Sequence, residues 1–147
     1  MKYKPLVAVL TAAGLALAQS ALAADKMSAE QYKAEKQKID ATYKAELERC
    51  DSQSGNAKDI CKAQAKGNHK AAKADAEAQY KGTAKAQADA RIAHADADYD
   101  VAKEKCDEFT GNKKDVCVKD AKAAHTKAKA DAKVMRSETQ AQSKPRT

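Results

Sequence analysis

A pair of cysteines with ten residues between them occurs twice in this chain, and the second pair follows the first at an offset of 56. Cys50, Asp51, Gly55, Asn56, Lys58, Asp59 and Cys61 are matched by Cys106, Asp107, Gly111, Asn112, Lys114, Asp115 and Cys117. Residues 48–76 align without a gap to residues 104–132, with 16 of the 29 positions identical. Ala65, Lys66, His69 and residues 72–76 recur as Ala121, Lys122, His125 and residues 128–132; upstream, Asp40, Ala41 and Tyr43 recur as Asp96, Ala97 and Tyr99. Low complexity alone reproduces Ala/Lys matches, but not a cysteine frame around a Gly-Asn pair. The chain is therefore a duplication of one supersecondary unit.

Each unit reads as helix, turn, helix. Ser28 with Gln31 three residues later is a capping-box start, and Tyr32, Ile39, Tyr43, Leu47 and Cys50 then share one helical face. In the second unit Ile92, Ala95, Tyr99, Ala102, Cys106 and Phe109 alternate spacings of three and four, the narrow seam of a helix packed on one partner. The turn between the cysteines holds Gly55 or Gly111, suited to a left-handed helix end. Asn56 and Asn112 follow as N-caps, with Asp59 and Asp115 placed for the positive helix end. The pattern stays helical to about residues 81 and 135. Gly82-Thr83 joins the units, as a linker or as a weak point in one long helix. The polar tail, residues 137–147, is expected to be disordered.

The N-terminus changes what the rest of the chain means. Lys2 and Lys4 precede an apolar run over residues 6–18, and Ala21-Leu22-Ala23 supplies small residues at a cleavage site. This is the pattern of a secretory signal peptide over residues 1–23, cut before Ala24, and too short an apolar run for a membrane span. Residues 24–147 then carry 26 basic and 21 acidic side chains. Only about fifteen of those residues are large and apolar, too few for a conventional globule of that length. Ala, Glu, Lys, Leu and Arg make up about half, the composition of long helices, so the expected molecule is helical with a thin core. Small exported proteins in that position use disulfides.

The expected fold is thus all-α: two tandem antiparallel hairpins, residues 24–81 and 82–136, each closed at its turn by a disulfide. Four cysteines allow three pairings, and the αα-turn favours Cys50–Cys61 and Cys106–Cys117 because it brings each local pair together. The chain-entropy model gives about 2.8 kcal/mol for closing such a loop. A metal site of Cys50, Cys61 and His69, repeated as Cys106, Cys117 and His125, is disfavoured. Zinc sites space their cysteines more closely, and His69 falls on a different helical face from Cys61.

Positive charge gathers on the returning helices. Lys62, Lys66, His69 and Lys73 recur at spacings of four, three and four, and Lys122, His125, Lys129, Lys133 and Arg136 do the same in the second unit. Residues 57–81 carry net +3 and residues 113–136 net +5, against 0 for residues 28–50 and −1 for residues 83–106. Such stripes suit anionic envelope polymers or lipid head groups; the plainer reading is a solvated face. Nucleic acid is not expected as a partner, because the acidic residues are too many. No phosphate loop, catalytic constellation or water-excluding pocket is read in the sequence, so neither an enzyme nor a cofactor is expected.

The signal-like start, the Cys-Asp-x-x-x-Gly-Asn-x-Lys-Asp-x-Cys frame and the Ala-Lys-Ala-Asp-Ala runs together resemble a group of small Lys/Ala-rich periplasmic proteins of proteobacteria described as TolA-like or cell envelope biogenesis proteins. The resemblance covers essentially the whole chain, and the repeated cysteine frame is its specific part. It implies a periplasmic, non-enzymatic helical protein. TolA proper has an uncleaved anchor and a globular C-terminal domain that this sequence does not display, so no partner-binding residues carry over.

Overall fold

The computed structural model describes residues 26–143. The expected signal segment, residues 1–23, lies outside them, as does the end of the tail. The described residues form four helices and no strand: α1 (Ala29–Asp51), α2 (Gly55–Lys81), α3 (Ala84–Cys106) and α4 (Gly111–Gln142).

Local chemistry sets the boundaries. The Gln31 N–H donates to Ser28 Oγ at 3.2 Å and the Ser28 N–H to Gln31 Oε1 at 2.8 Å, completing the capping box of α1. Gly82, at φ +60°, ends α2, and the Thr83 hydroxyl accepts from the Ala86 N–H at 3.2 Å to start α3. Gly82-Thr83 is therefore a tight turn and not a joint inside one long helix. Gly55 and Gly111 have φ of +56° and +58°. A Cβ at either would meet nothing within 4 Å, so the left-handed conformation, and not space, requires glycine there.

Three expectations need correction. Asn56 and Asn112 are not N-caps: α2 and α4 begin at the glycines, preceded by Ser54 and Thr110, with no side-chain cap bond at either start. The left-handed glycine has already turned the chain, so each asparagine falls inside the first turn, and Asp59 and Asp115 lie past it. Phe109 lies beyond the end of α3, 45% exposed, and not on its seam. Finally, α4 continues past residue 136 to Gln142, because Met135, Arg136 and Thr139 still line a groove with Ala84, Gln87, Ala88 and Arg91 at the start of α3.

Each helix packs only on its neighbours in the chain: α1 on α2, α2 on α3, α3 on α4. The result is a single layer, one helix thick, in which α1 and α4 do not touch. Cys50–Cys61 joins α1 to α2 with Cα atoms 5.5 Å apart, and Cys106–Cys117 joins α3 to α4 at 5.6 Å. The most extensive packing lies between the two units, along α2 and α3. Gly67 sits there against Ala97, where an added Cβ would come within 2.8 Å of the alanine Cβ. The buried residues of these two helices are nearly all alanine: Ala65, Ala71 and Ala76 on α2, and Ala86, Ala88, Ala90 and Ala95 on α3. Small side chains bury little area each, but they let backbones approach closely enough for dense dispersion contact. The two hairpins are thus one continuous body.

Candidate functional site

The chain's three histidines all lie at helix seams, one per seam, and each meets an aspartate of the adjacent helix. His69 Nε2 lies 2.7 Å from Asp40 Oδ1 across α1/α2, His94 Nε2 2.8 Å from Asp75 Oδ2 across α2/α3, and His125 Nε2 2.5 Å from Asp96 Oδ1 across α3/α4. A carboxylate only accepts, so Nε2–H is the donor in each pair. In the first and third seams the imidazole also lies flat on a tyrosine. The His69 ring stacks on Tyr43 at 4.4 Å and the His125 ring on Tyr99 at 4.7 Å. These two histidine side chains are 20% and 18% exposed, whereas that of His94 is 55% exposed.

The duplication therefore carries an Asp-Tyr-His set as well as a cysteine frame. The signal was present in the alignment, because Asp40, Tyr43 and His69 repeat as Asp96, Tyr99 and His125. Helical spacing within α2 and α4 grouped the histidines with the lysines instead, since it contains no information about the facing helix. The hydrogen bond from His69 holds the Asp40 carboxyl below its ordinary range, against a smaller opposing effect of burial. Burial pushes the Asp96 carboxyl up, but hydrogen bonds from His125 and Lys129 outweigh it, and the net direction is down.

The frame's other charged residues also act as fasteners. Lys58 Nζ reaches Asp51 at 3.1 Å and Lys114 Nζ reaches Asp107 at 2.9 Å, spanning the turn beside each disulfide. The Lys58 hydrogen bond lowers the Asp51 carboxyl.

Of the nine stripe residues, His69 and His125 turn into the seams, and Arg136 lines the groove at the start of α3. Lys62 lies 3.8 Å from Asp51, and Lys129 donates to Asp96 at 3.2 Å. Lys66, Lys73, Lys122 and Lys133 are exposed and form no ion pair among the described residues. Lys62 and Lys66 line a groove between α2 and α3 of about 260 Å³, which also holds Lys70, Lys103, Asp100 and Glu104. That groove is of mixed charge.

The histidines and cysteines are engaged within the fold. In His69 and His125, the Nε2 edge is engaged by aspartate and one ring face by tyrosine. All four cysteines are in disulfides, so none offers a thiolate as nucleophile or ligand. Among the described residues, no three His, Cys, Asp or Glu side chains are grouped to hold a metal ion, and no helix is long and apolar enough to cross a membrane. Disulfides are the chemistry of an oxidising compartment. No protein-family model, curated protein or solved structure matches this chain.

Proposed function

We propose that this protein is a non-enzymatic component of the periplasm and cell envelope, acting as a helical spacer or interaction module as the resemblance to TolA-like proteins suggests. One observation carries the reading. The side chains best able to perform chemistry, four cysteines and three histidines, all fasten one helix to the next. The product is a continuous layer of helices; α4 alone, with 32 residues, spans about 48 Å at 1.5 Å per residue.

A second reading, binding of anionic envelope polymers or lipid head groups, rests on Lys66, Lys73, Lys122 and Lys133. One experiment separates the two. A strain lacking the protein is complemented with a variant carrying Lys66→Gln, Lys73→Gln, Lys122→Gln and Lys133→Gln, or with one carrying Ser at all four cysteine positions. The spacer reading expects envelope integrity, scored as detergent sensitivity, to return with the lysine variant and not with the cysteine variant. The opposite result assigns the function to the basic faces.

A further inference from the structure

The α2/α3 seam is made by the second helix of one unit and the first helix of the next. Because the units repeat, the layer's outer edges carry both halves of that seam again. On α2 the seam uses Gly67, facing Ala97, and Asp75, facing His94. The 56-residue offset places Ala123 and Asp131 at the same positions on α4, and both are exposed. Val116 and Val134, in the places of Ile60 and Ala78, are 47% and 54% exposed. On α1, Ala41 and Lys38 stand in the places of Ala97 and His94, and both are exposed.

We propose that copies of this protein join head to tail, the outer edge of α4 docking on the outer edge of α1 of the next copy in the register of the α2/α3 seam. The chemistry of the edges is complementary in that register. Ala123 meets Ala41, small against small. Asp131 meets Lys38, an opposite-charge pair where Asp75 and His94 already pair within the chain. Glu104, which lines the α2/α3 groove with Ala63, becomes Glu48, and Ala63 becomes Lys119, so a second opposite-charge pair forms. Lys38 and Asp131 keep side chains 74% and 58% exposed beside their own-helix partners, Glu35 and Lys127, which leaves them open to a further partner.

The intermolecular joint is looser than its intramolecular template. Gly67 becomes Ala123, adding a Cβ at the point of closest approach, Ala71 becomes Lys127, and Lys70 opposite Asp100 becomes Thr126 opposite Lys44. Association is therefore reversible and concentration-dependent. A joint between two different edges is heterologous, so it yields open chains, or a ring where the rotation closes, and not a symmetric dimer.

Sedimentation of the oxidised protein over a range of concentrations at low salt tests it. The weight-average mass of the parent should rise with concentration past that of a dimer. Ala41→Arg blocks only the α1 edge and Ala123→Arg only the α4 edge; each variant alone should stay monomeric. Mixed in equal amounts, they should form a two-chain complex and grow no further, because one intact joint remains. Lys38→Glu offers a milder block, with association restored by Asp131→Lys on the facing edge. Unchanged helical circular dichroism confirms that each variant is folded. A parent that stays monomeric at the highest concentration reached, a parent that stops at two chains, or single-edge variants that associate like the parent would each overturn the proposal.

Discussion

An imidazole lying flat on a tyrosine, with its Nε2–H held by a carboxylate, is fixed in plane, tilt and tautomer at once. His69 and His125 are held this way, by Tyr43 with Asp40 and by Tyr99 with Asp96. The aspartates report on the arrangement through pH. Both carboxyls are held below their ordinary value of 3.8 in the folded protein. A depressed carboxylate contributes stability that is complete above the unfolded value and is lost as pH falls through the folded one. The urea midpoint of the parent should therefore be insensitive to these groups at neutral pH and decline as acid is added below about pH 4. The variant carrying Asp40→Asn and Asp96→Asn should start lower at neutral pH and show a shallower decline in acid. Parallel curves for parent and variant would mean that these carboxylates contribute nothing linked to protonation. Both groups are largely solvated, so the expected effect is a difference in slope and not a large loss of stability.

Among the helices, the α2/α3 seam shows what alanine does when it replaces a core of large side chains. Gly67 lies within α2, where glycine costs about 0.5–1 kcal/mol relative to alanine. That cost is retained because a Cβ at this position would lie 2.8 Å from the Ala97 Cβ. Gly67→Ala should gain the helix term and lose more to overpacking, about 1–3 kcal/mol, for a net loss of order 1 kcal/mol in urea unfolding. Ala97→Gly placed in the same chain should recover part of the loss, because it reopens the contact. If Gly67→Ala alone stabilises the protein, the close approach is not a constraint. This seam is also where the sequence was least legible. The cysteine frame and the capping box at Ser28 were readable because each rests on chemistry within a few residues; at Gly82-Thr83 the sequence left a linker and a weak point in one long helix equally open. An alanine looks the same in the sequence whether it faces solvent, as Ala123 does, or a partner helix, as Ala71 does. The packing of one unit on the other was therefore hidden, although every residue that makes it was in view.

In the whole molecule, the layer is as strong as its least supported helix. The inner helices α2 and α3 each have two packed neighbours, whereas α1 and α4 have one apiece. In a nearest-neighbour array, stability is a sum of helix terms and seam terms, so a terminal helix detaches at the cost of a single seam. The two disulfides sit on the seams where that weakness lies, tying α1 to α2 and α4 to α3. Cutting one removes a restraint of about 2.8 kcal/mol on the chain-entropy model and leaves the α2/α3 seam untouched. Reduction should therefore not unfold the protein in one step. Amide exchange measured residue by residue under reducing conditions should quicken along α1 and α4, while α2 and α3 stay protected around Gly67 and Ala97. Of the outer helices, α1 should open first. Its packing on α2 is the least extensive of the three seams, and the ion pairs bracing its His69 rung do not include a counterpart of Lys129 on Asp96. Equal loss of protection in all four helices would mean that the layer unfolds as one unit, with the disulfides supporting the centre as much as the edges. Faster exchange in α2 and α3 than in α1 and α4 would place the weak seam between the two units, where packing is the most extensive, and would reverse this order of stability.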